Sequence, residues 1–235
     1  IMAADGFDLD AWLARIGYAG SRAPTLETLQ AVITAHTTTI PFENIDVLLG
    51  RVPKLDVESL GTKLIGSGRG GYCFEQNMTF RSGLVAMGFT VTSLLARVIR
   101  TMPPDAMRPA THMALRVDLP EGAFLVDVGY GNQTPTAPLL LQPNIEQSTP
   151  HETMRLLPVG EELALQVRLG DAWQSVYRVS LRPAVDVDYD VANWFTATHP
   201  ASPFVANMIV ARPGPGGLRF TLFNGRLSKR RAGEL

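Results

Sequence analysis

Residues 69–77 read Arg69-Gly70-Gly71-Tyr72-Cys73-Phe74-Glu75-Gln76-Asn77, and Cys73 within them is the only cysteine in the chain. A sole thiol forms neither an internal disulfide nor a Cys-x-x-Cys metal site, so packing or chemistry is left for it. Its setting favours chemistry. Ser67-Gly68-Arg69-Gly70-Gly71 is a glycine-rich turn, and Phe80, Leu84 and Met87 recur on one face of the run that follows, before Gly88. This pattern predicts a helix over 74–87 with a C-terminal stop. Cys73 then falls near a helix N-terminus, where unpaired N–H groups and the macrodipole favour a thiolate. The bland alternative is a buried cysteine acting as an inert small hydrophobe.

Upstream the chain reads as helical. Asp8 is placed to cap a short helix carrying Leu9, Trp12, Leu13 and Ile16, stopped at Gly17. Thr25 heads a second with Leu26, Leu29 and Ile33 on one face and His36 near its polar boundary, and Asp56 starts a third with Val57, Leu60 and Leu64. From about Phe89 the texture changes to strands. Phe89 to Val98 is β-branched and apolar, while His112 to Leu119 and Ala123 to Val128 flank a turn at Pro120-Glu121-Gly122. Glu162 to Val167 and Trp173 to Val179 form another hairpin across Gly170-Asp171. Short antiparallel strands of this kind suggest a small barrel or sandwich. Beyond Arg182-Pro183 the chain is mixed, with a strand-like Arg219 to Phe223.

A chain of 235 residues can bury a sizeable core, and 46% hydrophobic with 18% charged residues describes an ordinary globular protein. A net charge of −1 argues against nucleic acid as the main partner. No secretory signal and no apolar run of about 18 residues is visible, which argues against a membrane and makes the cytoplasm the default location. One unpaired thiol agrees with a reducing compartment.

A cysteine nucleophile needs a base, and the base needs a third group to fix its tautomer. Of His36, His112, His151 and His199, only His112 heads a strand whose hairpin partner ends in a carboxylate, Asp127. Taking Leu119-Pro120-Glu121-Gly122 as a four-residue turn pairs Asp118 with Ala123 and puts His112 diagonal to Asp127 on one face. An odd turn would separate them. Each residue alone also has a structural reading: a strand-end histidine satisfying backbone groups, and a turn aspartate.

The segment from Arg69 to Asn77 is read together with Pro41-Phe42-Glu43-Asn44-Ile45-Asp46-Val47, Thr111-His112-Met113 and Asp127-Val128-Gly129-Tyr130-Gly131. In that combination it resembles the arylamine N-acetyltransferases. The likeness runs from Leu9 through Asn224. It implies an α+β fold in three parts, with a papain-like cysteine triad at their junction. A helical bundle (1–88) carries the cysteine, an antiparallel β-barrel (89–190) carries the histidine and aspartate, and an α/β lid (191–235) closes the molecule. The chain stops at Leu235, where family members usually run on, so the lid is expected to be incomplete.

On this resemblance Cys73 is the nucleophile, His112 the base and Asp127 the orienting acid. Glu43 and Arg69 are an ion pair tying the cysteine loop to the loop before it. Thr111, Gly129, Tyr130 and Gly131 are contacts to coenzyme A. Phe42, Val98, Tyr130 and Phe204 line the acceptor pocket, where Tyr130 adds a polar handle. Acetyl-coenzyme A is the implied co-substrate, an arylamine or hydrazine the acceptor, and no metal is called for. The terminal Lys229-Arg230-Arg231 run could approach the pyrophosphate, or be a solvated segment. Transfer is expected to proceed through acetyl-Cys73, with the Cys73 N–H and the backbone around Gly131 as oxyanion donors. Three alternatives stay open: a hydrolase or transglutaminase-like enzyme, an amide synthase on the same triad, and an aromatic-ligand binding protein in which Cys73 only packs.

Overall fold

Asp8 accepts a hydrogen bond from Ala11 N at 2.9 Å and starts helix α1 (Leu9–Ile16), which ends where Gly17 turns left-handed at φ 68°. Thr25 caps α2 (Leu26–Thr39) through Thr28 N. The apolar faces of both helices, Trp12, Leu13 and Ile16 with Leu29, Val32 and Ile33, share one core. The structure, a computed structural model, describes residues 6–231; the ends of the two outer expected units, 1–5 and 232–235, lie outside the described residues. His36 is not at a polar boundary as its position in α2 suggests. It is fully buried, accepting from Trp12 Nε1 at 3.3 Å and facing Gln76 Oε1 at 2.7 Å. Those partners fit only a neutral ring that donates from Nε2. Burial lowers its pKa to about 4.

A two-residue strand β1 (Phe42–Glu43) and short helices α3 (Ile45–Leu48) and α4 (Val57–Leu60) follow, the last capped by Asp56 and running on as a π-helical turn over Gly61–Gly66. Helix α5 (Cys73–Ala86) comes next. It is buried from Cys73 through Phe80 and again at Ser82, Gly83 and Leu84, so neighbours surround it.

Eight antiparallel strands then build a nearly closed barrel. They are β2 (Thr90–Val98), β3 (Ala110–Leu119), β4 (Gly122–Val126), β5 (Leu139–Leu140), β6 (Glu146–Ser148), β7 (Thr153–Val159), β8 (Glu162–Leu169) and β9 (Ala172–Pro183). Their order is β5-β4-β3-β2-β9-β8-β7-β6. The hairpin of β3 and β4 pairs Asp118 with Ala123, as expected, and closes one step further with Leu119 on Gly122. The turn is thus two residues, not four. Its even parity is unchanged, so His112 and Asp127 stay on one face.

Helices α6 (Asp186–Thr198) and α7 (Pro203–Ala206) lead to strands β10 (Ile209–Pro213), β11 (Leu218–Phe223) and β12 (Arg226–Arg231). With β1 these form a second sheet, β1-β10-β11-β12, in which Phe42 pairs with Ala211 and Glu43 with Val210. The segment at Phe42–Glu43, which also hydrogen-bonds the cysteine loop at Gly71, therefore belongs to the last sheet. The Lys229-Arg230-Arg231 run is part of β12, paired to β11, with Lys229 and Arg231 exposed.

Candidate active site

Cys73 is the first residue of α5, and the glycine turn before it folds back on the helix. Glu75 Oε2 reaches back to accept from Tyr72 N at 3.0 Å and so caps the start of the helix. A Cβ on Gly70 would meet Pro41 O at 2.1 Å, so no other residue fits against that carbonyl. Arg69 binds Glu43 at 2.8 Å and Asp46 at 2.9 Å, while Lys63 binds Asp46 and Glu75, each at 2.7 Å. The expected Arg69–Glu43 pair is thus one edge of a larger ion-pair network under the cysteine loop, which Arg51 joins through Asp46 at 3.8 Å. Burial pushes Glu75 up to about 7 against the opposing pull of Lys63.

Cys73 is 4% exposed, and its sulfur lies 3.9 Å from the carbonyl oxygen of Thr111, the residue before His112. His112 Nε2 meets Asp127 Oδ2 at 2.7 Å with both side chains buried. Nδ1 is the nitrogen left to face Cys73, with which the ring also interacts. Burial alone would lower the His112 pKa, but the Asp127 charge and hydrogen bond, then those of Cys73, outweigh it and raise the value to about 10. The ring is held between Tyr130 and Tyr177, at centroid distances of 5.3 and 4.9 Å.

Asp127 is fixed by a residue that the sequence reading passed over. Its Oδ1 accepts from Asn77 Nδ2 at 2.9 Å and from Gly129 N at 2.8 Å. Asn77 also donates to Met113 O at 2.9 Å and accepts from Val128 N at 3.1 Å, which ties α5 to both strands of the hairpin. The available signal was its place four residues after Cys73, on the same side of the helix. Gly129 is the contact point: a Cβ there would stand 2.8 Å from Cys73 Cα and 2.9 Å from Cys73 O.

One cavity of about 1070 Å³ gathers the remaining expected residues. Cys73, His112, Thr111, Gly129, Tyr130, Gly131, Phe42, Val98 and Phe204 all line it, and Asp127 stands behind His112. Phe42 and Phe204 pack ring to ring at 5.9 Å. Tyr130 corrects one expectation: its hydroxyl donates to Val176 O at 3.1 Å, so the polar handle is occupied by the barrel. Among the described residues, no group of three or more His, Cys, Asp or Glu side chains could hold a metal ion. No described helix is long and apolar enough to cross a membrane.

The family model described as N-acetyltransferase matches residues 25–235. The arylamine N-acetyltransferase of Escherichia coli is 44% identical over 216 residues, 92% of this chain and 76% of that protein. The chain belongs to the arylamine N-acetyltransferase family. The Mycobacterium tuberculosis family member is 43% identical over 208 residues, 87% of this chain and 74% of its own length. Its solved structure superposes with a TM-score of 0.92 over 97% of this chain and 86% of that one. The Mycobacterium marinum arylamine N-acetyltransferase in complex with CoA gives the same TM-score at 41% identity, covering 96% and 84%. Both the α+β fold and the enzyme class follow for this chain: an acyltransferase.

Proposed function

We propose that this chain transfers acetyl from acetyl-coenzyme A to the nitrogen of an arylamine or arylhydrazine through an acetyl-Cys73 intermediate. The observation that carries this reading is the buried line Asp127–His112–Cys73, open on its sulfur side to a cavity walled by Phe42, Val98, Tyr130 and Phe204. Cys73, as thiolate beside the His112 imidazolium, attacks the thioester carbonyl. The oxyanion that forms is met by first-turn N–H groups of α5, which have no partner inside the helix, with the Gly131 backbone opposite. As the tetrahedral adduct collapses, the C–S bond to coenzyme A breaks and the leaving thiolate takes the His112 proton.

The vacated cleft then admits the acceptor. Its nitrogen lone pair attacks the acetyl carbon, His112 takes the nitrogen's proton, and the Cys73 thiolate is expelled. Thr111, Gly129, Tyr130 and Gly131 are the proposed contacts of the donor arm, because all four line the passage to the sulfur. Asp127 holds the ring's orientation and its charge. A single unpaired thiol supports a reducing, cytoplasmic setting as part of this reading. Initial rates at crossed concentrations of the two substrates test the scheme. Parallel double-reciprocal lines are expected, and lines that intersect would require both substrates to be bound at once and contradict it.

A further inference from the structure

Behind the cysteine loop lies a second cleft of about 600 Å³, which shares no lining residue with the catalytic cavity. Glu75, Lys63, Asp46 and Arg69 line it. Its rim carries Arg51 and Lys54 against Asp56 and Glu58, all exposed and balanced in charge. The ion-pair network beneath is not balanced. Among the described residues, three carboxylates, Glu43, Asp46 and Glu75, meet two enclosed cations, Lys63 and Arg69. Arg51 reaches Asp46 only at 3.8 Å, with a side chain 70% exposed. One negative charge is left over in a buried place, and a bound proton is the smallest group that neutralises it.

Glu75 is where that proton belongs. Glu43 has Arg69 at 2.8 Å and the Ile45 N–H at 2.7 Å, and Asp46 has both Arg69 and Lys63. Glu75 has no guanidinium and shares Lys63 with Asp46, although its side chain is only 2% exposed. Burial, with Glu43 pushing the same way, outweighs Lys63 and the Tyr72 N–H and lifts it to about 7. From α1, Arg15 reaches only the backbone of Leu64, Gly68 and Arg69, and the other titratable neighbours, Tyr72 and Cys73, belong to the start of α5 itself. Both carboxyl oxygens are already taken by donors, Oε1 by Lys63 Nζ at 2.7 Å and Oε2 by Tyr72 N at 3.0 Å. An ammonium and an amide N–H offer no lone pair, so a carboxyl proton must displace one of them. Either loss slackens the first turn of α5, where Cys73 directly follows Tyr72. The fit is close, since a Cβ on Gly71 would stand 2.7 Å from Glu75 Oε2. The far end of Tyr72 is fixed by its hydroxyl on Asn193 of α6, which leaves its N–H as the end a proton releases.

We propose that Glu75 is a proton-sensitive positioning residue for the nucleophile: it exchanges one proton through the rear cleft, and loss of that proton locks the start of α5 beneath Cys73. This rests on the acetyl-transfer reading only in taking Cys73 as the acetyl carrier. Because the cleft is separate from the catalytic cavity, the proton tunes the rate of acetylation and leaves donor binding alone. His112, raised to about 10, keeps its charge around neutral pH and does not produce this transition.

Carboxyl NMR of enzyme carrying isotope-labelled glutamate reads the proton directly. The resonance that is lost in Glu75→Gln should titrate at about 7 in the wild type, and a midpoint at the ordinary 4.5 overturns the proposal. In rapid mixing with saturating acetyl-coenzyme A, the rate of Cys73 acetylation should rise about threefold or more from about pH 6 to about pH 8. Glu75→Gln keeps an acceptor for the Tyr72 N–H and has no proton to lose. Its rate should be level over that range, with the half-saturating donor concentration unchanged. A limb that persists in Glu75→Gln belongs to another group and overturns the device. Lys63→Met covers the case in which Glu75→Gln does not fold. It removes the cation, so the carboxyl midpoint and the acetylation limb should move up together, and a limb that stays while the carboxyl moves contradicts the coupling. Failure of the underlying reading looks different: the carboxyl would still titrate at about 7, while Cys73 took up no acetyl at any pH.

Discussion

Asn77 stands one helical turn beyond Cys73, and its amide holds Asp127 Oδ1 at 2.9 Å. The helix that presents the sulfur thus also sets the position of the carboxylate that charges the base. Nucleophile and acid come from separate parts of the chain, and Asn77 joins them in one rigid unit.

Asn77→Ala removes three hydrogen bonds and leaves Met113 O and Val128 N buried without a partner. A stability loss of about 2–3 kcal/mol is expected by denaturant unfolding. Turnover should fall more than stability explains, with a shifted pH profile, because Asp127 is then free to turn from His112. A variant that is destabilised yet keeps the wild-type profile would reduce Asn77 to a packing role.

Asp127→Asn removes the charge that raises His112, leaving burial to lower it. The rate of Cys73 alkylation by iodoacetamide near neutral pH should then drop, and turnover should fall by about 10²–10⁴-fold. In the wild type the raised value has a stability consequence. Stabilisation by charged His112 is complete below its unfolded value of 6.5 and is lost as pH climbs through about 10. Alkali unfolding of Asp127→Asn should lack that limb.

His36 works in the opposite sense. Its pKa is lowered from 6.5 to about 4, so the neutral ring contributes stability above pH 6.5 that is lost as pH falls towards 4. The full loss is about 3 kcal/mol. His36→Gln should flatten the acid limb of a thermal-melt series, and an unaltered limb would place the titrating group elsewhere.

Gly129→Ala forces a methyl onto the Cys73 backbone at 2.8 Å. Overpacking of this kind costs about 1–3 kcal/mol. Because the contact is the nucleophile's own Cα, kcat should fall while an alanine at the exposed turn residue Gly160 leaves kcat alone. Paired kinetics on the two variants checks this.

The outline of the fold was legible where the signal is local. Asp8, Thr25 and Asp56 cap as their types dictate, Gly17 and Gly88 turn left-handed, and the His112–Asp127 hairpin obeys its two-residue period. What stayed hidden depends on partners far along the chain. Nothing near Phe42-Glu43 marks it as the edge of a sheet completed by Ile209–Pro213. Strand β7 alternates correctly, with Met154 and Leu156 inward, but Pro158 argues against it. β12 is basic on both faces and reads as a tail. Asn77 and His36 look like ordinary polar helix residues until the elements packed against them are known.

Intact mass of the enzyme mixed with acetyl-coenzyme A in the absence of an acceptor tests the covalent step most directly. One acetyl group should appear, map to Cys73, be absent from Cys73→Ser and disappear when an arylamine is added. An unmodified enzyme, or an acetyl group that leaves Cys73→Ser equally labelled, would contradict Cys73 as the carrier.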